Sequence, residues 1–315
     1  TNVEFRVADV TGDAAADLTG RVPMVYNPDY ETNAAKYAAW FNSVTNFGYT
    51  KTGPGKMLVD SAAATVGNCR PLNGSLIVQE GELEYVQPFT TDPYVPRTVR
   101  VSTNAVLRLP AHPFQNPELV TSNAYGLVTE VDHGTLVLDS KGTKSHIAFG
   151  DLLLDNATLD YSNWTPHDQL GLFTFHGRVV FRGENPYVLP ASASQANGKV
   201  LLGHFPAPTE FWVDELTGDA SPDVEIGHLL HEQRDMTKKF WAPGSFVKTG
   251  PGTLLLSNDY STYSGNVEVR EGVLLVGRDL SSASIPQSGG NANHSPLGSF
   301  AAAAYGNGPA YGDGR

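Results

Sequence analysis

A single cysteine, Cys69, stands in a chain of 315 residues. No intramolecular disulfide can form, and a Cys-rich structural zinc site is excluded. The reading of Cys69 is a small apolar plug or a loop residue. Charged residues make up only 17% of the chain, and helix-favouring runs of Leu, Glu, Lys and Arg are scarce. The formal net charge is −12. That balance argues against nucleic acid or an anionic membrane surface as partner, since both require clustered Lys and Arg. No apolar run reaches the length of a transmembrane helix, so no membrane insertion is expected in this segment. Residue 1 is Thr, no signal peptide is visible, and the Gly/Ala-rich ending lacks the character of a natural stop. A longer precursor is the expectation.

What the chain does have is glycine, 32 residues of it, punctuating short apolar pieces. This composition suits many short strands joined by tight turns. The clearest case runs from Phe246 to Gly277. Leu254 and Leu256 alternate with Thr253 and Leu255, Val267 and Val269 with Glu268 and Arg270, and Leu274 and Val276 follow the Glu271-Gly272 turn. Period-two pieces this short each bury one thin row and cannot close a core alone. They need a similar layer above and below, which is the logic of a solenoid.

The same stretch occurs a second time. Lys51-Thr52-Gly53-Pro54-Gly55 repeats Lys248-Thr249-Gly250-Pro251-Gly252, and Ser75 to Tyr85 repeats Asn266 to Val276. The reading assigns Met57, Val59, Leu76, Val78, Leu83 and Tyr85 to the inward positions of the first copy. Gly55 and Gly81 are 26 residues apart, whereas Gly252 and Gly272 are 20 apart, so the loop of the first copy is longer. Loops that project from a stacked coil tolerate such growth. Upstream, Phe5 to Asp17 reads against Phe211 to Asp223 at a constant offset of 206. A unit that keeps its Gly, Asp and alternate apolar residues while its loops change length is architectural.

The pattern Lys-Thr-Gly-x-Gly-Thr-Leu-x-Leu-Ser, an Asn/Tyr/Gly turn, then Val-x-Val-x-x-Gly-x-Leu-x-Val resembles the passenger-associated repeat of bacterial autotransporters, which are large exported β-helical surface proteins. The lead-in at Phe5 to Thr19 and the sequel Asn293 to Gly298 are similar to the flanks of that repeat. The resemblance covers about 110 residues and is closer in the second copy. Lys56 stands where the repeat usually has Thr, and no C-terminal translocating β-barrel is present in the sequence. The resemblance implies an all-β, right-handed parallel β-helix with a duplicated module and short helical or loop excursions, placed outside the cell after export.

The expected organisation is a first repeat module over 1–87, central layers with Pro-rich loops over 88–210, a second module over 211–280 and a Gly/Ser/Ala-rich tail over 281–315. Layers of roughly 20 to 25 residues, stacked about 4.8 Å apart, would make a rod on the order of 60 Å long. Within this frame Tyr30 to Ser43 has the best helical pattern, with Tyr37, Trp40 and Phe41 on one side. Gly227 to Trp241 reads as a helical turn or an outer strand.

Three constellations invite a chemical reading. His228 and His231, followed by Glu232, resemble a metal-binding helix but lack the His-Glu-x-x-His order and a third ligand, so they read as surface or interface histidines. Asp9, Asp13, Asp17, Asp214, Asp219 and Asp223 sit in turns without the spacing of known calcium loops, and an Asp in a tight turn usually bonds its own backbone. Asp132, Asp139, Asp151, Asp155 and Asp160 recur on the central layers and are the candidates for paired carboxylate work on a polysaccharide, with Trp164, Tyr187 and Trp212 as stacking surfaces. The acceptor sequences at Asn73, Asn156, Asn163 and Asn293 are at chance level.

No catalytic, metal or cofactor residue is assigned, and no cofactor is expected. The expected function is a non-enzymatic structural or adhesive β-solenoid of the bacterial cell surface. Its expected partners are other copies of itself and cell-surface glycans. The alternative is a polysaccharide-binding or polysaccharide-cleaving β-helix.

Overall fold

A computed structural model of the chain describes residues 2–20, 48–60, 75–86, 98–110, 128–140, 142, 144–166, 171–190, 199–202, 208–235, 240–242, 244–258, 261–263 and 265–277. The described residues are all β, with no helix among them. Strands of successive layers within each sheet pair parallel and in register, so the architecture is that of a parallel β-helix. Two compact units are present: Thr1–Leu119 with Gly126–Thr143 and Ala157–Thr165, and Val120–Tyr125 with Lys144–Asn156 and Pro166–Arg315. The helical pattern at Tyr30 to Ser43, Cys69, Asn73, Asn293 and the tail 281–315 lie outside the described residues.

In the first unit the chain feeds two sheets in turn. One sheet takes Asn2–Arg6, Gly48–Thr52, Ser75–Val78, Thr98–Val101 and Val128–Asp132; the other takes Leu18–Gly20, Lys56–Val59, Glu82–Tyr85, Val106–Pro110, Thr135–Asp139 and Thr158–Asp160. The register stacks like on like. Met57 pairs with Leu83, Leu83 with Leu107, Leu107 with Leu136 and Leu136 with Leu159. On the facing sheet Leu76 pairs with Val99, and Val78 with Val101. All six residues assigned inward in the first copy are buried. Thr98–Val101 and Val106–Pro110, both in the central segment expected to carry Pro-rich loops, form strands. The corners between sheets are tight, and Asn104 and His133 take positive φ there.

Among the described residues of the second unit, three larger sheets are formed. The first contains Asp151–Asp155, Arg178–Arg182, Thr209–Val213, Phe246–Thr249 and Val267–Val269. The second contains Tyr187–Leu189, Val224–Ile226, Thr253–Leu256 and Val273–Val276. The third contains Ile147–Phe149, Phe173–Phe175, Lys199–Leu202, Leu229–Asp235 and Phe240–Ala242. The third sheet gives this unit an aromatic interior. Phe149 and Phe173 have ring centroids 6.0 Å apart, Phe175 and Phe211 6.1 Å, Phe211 and Phe246 5.6 Å, and Phe246 and Tyr263 5.7 Å. Each ring removes a large apolar surface from water, and the tilted or edge-on contacts suit the ring quadrupoles. Within the segment read as a helical turn or an outer strand, Leu229–Asp235 and Phe240–Ala242 are strands that pair antiparallel. Four residues connect them, enough for a hairpin but too few for a parallel crossover.

Candidate functional site

The duplicated motif builds the same object in both units, a turn closed around a lysine ammonium. Lys51 and Lys248 occupy inward positions on their strands, and both are 0% exposed. Stacking dictates this burial. Lys51 is paired with Phe5 below and Val78 above, and Lys248 with Phe211 below and Val269 above. A buried ammonium is tolerated only where its protons find acceptors, and backbone carbonyls at the start of the Gly-Pro-Gly turn and on the following layer supply them. Lys248 Nζ donates to the carbonyl oxygens of Thr249 at 2.8 Å, Gly250 at 2.8 Å and Glu271 at 3.2 Å. Lys51 Nζ donates to Gly53 O and, at 2.8 Å, to Glu80 O.

In each copy at least one acceptor lies on the lysine's own turn and one on the following layer. The ammonium therefore holds two layers together. The following layer must approach closely, and its turn residue is glycine for that reason. A Cβ on Gly81 would stand 2.6 Å from Gly53 O, Gly55 O and Lys51 Nζ, and one on Gly272 would stand 2.7 Å from Pro251 O, with Gly250 O and Gly252 O nearer still. Both glycines also hold positive φ, 67° and 71°, which a side chain disfavours. The recurrence of Glu80-Gly81 as Glu271-Gly272 thus follows from the lysine beneath.

A carboxylate ties the same turn to the preceding layer. Asp17 Oδ1 accepts the N–H groups of Val10 at 2.8 Å and Thr11 at 2.9 Å, and its Oδ2 accepts Lys56 N–H at 2.8 Å. Asp223 repeats this with Leu216 at 2.6 Å, Thr217 at 2.7 Å and Thr253 at 2.6 Å. The N–H groups of Lys56, Thr11 and Val10 hold the Asp17 carboxyl down at about 2. Burial alone would push Asp223 up, but the N–H groups of Thr253, Thr217 and Leu216 together outweigh it and leave it below its ordinary value. Burial pulls the Lys248 ammonium down to about 8, against the pull of Glu271 and Asp223, so it remains protonated at neutral pH. Lys51 shifts in the same direction, burial again outweighing Glu80 and Asp17.

The remaining acidic turn residues do local work. Asp9 accepts Gly12 N–H at 2.7 Å, Asp13 accepts Ala15 N–H at 2.7 Å, Asp219 accepts Ser221 N–H at 2.7 Å, and Asp214 accepts the Trp212 indole N–H at 2.5 Å. The five central carboxylates are divided between the units. Asp132 pairs with His133 at 2.6 Å, Asp160 accepts from Ser162, and Asp151 accepts Arg178 N–H at 2.8 Å, while Asp139 and Asp155 end strands. Trp164 is buried, Tyr187 packs on Phe181 at 5.3 Å, and Arg178 lies 4.7 Å over the Trp212 ring.

The two histidines, expected at a surface or interface, are buried within the chain instead. His228 is 1% and His231 8% exposed, because His231 lies on Leu229–Asp235 of the third sheet and His228 immediately precedes that strand, both in packed positions. His228 meets Phe173 edge-on at 6.4 Å, and His231 Nδ1 shares a hydrogen bond of 2.8 Å with Thr262 Oγ1. No group of three or more His, Cys, Asp and Glu side chains suited to a metal occurs among the described residues. No helix among them is long and apolar enough to cross a membrane.

Sequence reading located both motifs through their duplication but did not assign the lysines a role. The signal available was the joint recurrence of Lys-Thr-Gly-Pro-Gly with a Glu-Gly one layer on. Comparison with known proteins bears directly on the second copy. The family model described as passenger-associated-transport-repeat matches residues 246–276, the segment from the lysine strand to the end of the next layer. No curated protein and no solved structure matches the chain.

Proposed function

We propose that the chain is a non-enzymatic, exported β-solenoid of the bacterial cell surface, a structural or adhesive segment whose copies associate through an open layer of the second unit. The repeat matched at 246–276 supports the exported, surface-exposed setting. The observation that carries self-association is the contrast between two adjacent layers. Lys248 and Leu256 are 0% and 1% exposed, yet Val269 and Val276, their partners one layer on, are 46% and 41% exposed. Inward stacking positions left open to water, on strands that end their sheets among the described residues, are a template for a further layer. A second copy supplies such a layer by strand addition.

Negative-stain electron microscopy and sedimentation velocity across a concentration series test this reading. End-to-end or larger species that grow with concentration, and that are lost in Val269→Glu, are expected. Discrete monomers at all concentrations contradict self-association. Monomers that bind on a glycan array would favour the polysaccharide-binding alternative.

A further inference from the structure

We propose that the carbonyl oxygens around each buried lysine form a monovalent-cation site that the chain fills with its own ammonium. Around Lys248 Nζ the three ligands are all backbone carbonyl oxygens, from Thr249, Gly250 and Glu271, at 2.8 to 3.2 Å. Rings of carbonyls are the protein's means of replacing the hydration shell of a large monovalent cation. These separations are too wide for calcium, whose oxygen ligands stand at about 2.3–2.6 Å. The nearby carboxylate does not compete for the position, because the oxygens of Asp223 accept N–H groups from Leu216, Thr217 and Thr253. Gly272 completes the geometry, since a Cβ there would strike the oxygens of Gly250, Pro251 and Gly252. Lys51 forms the smaller version, with Gly53 and Glu80.

The consequence concerns how this fold lives outside a cell. A stack whose layers were clamped by a dissolved ion would loosen whenever that ion was scarce. Here the clamp is covalently attached, so the stacking of these layers is independent of the surrounding salt. Truncating the lysine should convert a self-filled site into an open one that takes ammonium or potassium from solution.

The test is urea unfolding of the full 315-residue chain and of Lys248→Ala in ammonium chloride, potassium chloride and tetramethylammonium chloride at equal ionic strength. The folded-to-unfolded ratio of Lys248→Ala should rise by about tenfold in ammonium or potassium over tetramethylammonium, as expected for a ligand at roughly ten times its dissociation constant. The parent chain should show no such preference. Lys248→Met, whose side chain still fills the path to the carbonyls, should show none either, and Lys51→Ala should respond less, having fewer ligands. A Lys248→Ala chain that responds alike to all three salts, or is unfolded in all three, overturns the proposal. So does a Lys248→Met chain that is rescued equally. These readouts concern folding alone, so their failure is distinguishable from failure of the surface-assembly reading.

Discussion

The two lysine turns share their inward chemistry and differ in nearly everything that faces out. In the first copy the outer side of the second sheet is ionic. Lys56 lies 3.0 Å from Glu82 and 2.7 Å from Glu84, and Arg108 lies 3.1 Å from Glu82. In the second copy the corresponding outward positions are Thr253, Leu255, Val273 and Leu275, of which Val273 and Leu275 are 46% and 37% exposed. The lysine, the two turn glycines and the carboxylate that anchors the preceding layer are unchanged. The difference teaches which residues are constrained: those that satisfy buried polar groups between layers are retained, while the outer face is free to carry whatever contacts a surface protein needs.

The largest separation between the copies is expected at the aromatic below each lysine. Phe211 is 0% exposed and sits between Phe175 and Phe246. Its equivalent Phe5 is half-buried and meets only Tyr49 edge-on, at 6.1 Å, among the ring contacts of the described residues. Phe211→Ala should cost about 4 kcal/mol through the cavity it leaves. Phe5→Ala should cost well under half of that, measured by chemical denaturation of each variant. Equal losses would mean that the two interiors are packed alike.

Next come the lysines. Lys248→Met abandons three carbonyl oxygens and should cost about 3 kcal/mol, at the upper end for leaving buried acceptors unpaired. Lys51→Met abandons two and should cost less. Amide exchange at Gly272 and Val273, one layer away, should quicken in Lys248→Met if the ammonium ties the layers together.

Acid sharpens the comparison further. The Asp17 carboxyl is held down at about 2, below its ordinary value. Its lowered folded value contributes stability above the unfolded one, and that contribution is lost as pH falls from about 4 through about 2. Asp223 is shifted in the same direction. A pH series on the parent chain should therefore show stability declining across that window. Asp17→Asn and Asp223→Asn should each flatten part of the decline, the second at the greater cost at neutral pH because Asp223 is fully buried. The smallest effect belongs to the outer ionic group. Lys56→Thr, which gives the first copy the residue of the second, should change stability by less than about 1 kcal/mol and lose even that in high salt.

Much of this was legible in the sequence because a strand's period of two survives in pieces of four residues. The inward assignments of Met57, Leu83, Leu254 and Leu256 follow from alternation alone. The turn role of Asp17 and Asp223 was also readable from the habits of aspartate. Their second bond, to the next layer at Lys56 and Thr253, was not, because it spans a loop whose length differs between the copies. Lysine burial was hidden for a related reason: a lysine ranks among the most exposed residue types, and its acceptors are backbone atoms that leave no side-chain signature. The third sheet was largely missed, since Phe173–Phe175 and Ile147–Phe149 are three-residue strands buried on both faces and so lack alternation.

In-register parallel layering of both copies is the claim on which the rest stands, and a cross-link reads it most directly. In a chain carrying Cys69→Ser, the pair Thr50→Cys with Ile77→Cys, and separately Val247→Cys with Glu268→Cys, places cysteines at directly paired positions of adjacent layers. Paired parallel strands lie about 4.8 Å apart, within the span a disulfide needs. Mild oxidation should close both bridges in the folded protein, seen as faster migration on a non-reducing gel and as a linked peptide in the digest. Failure of either pair to close, while a pair offset by several residues closes instead, would contradict the layered account for that copy.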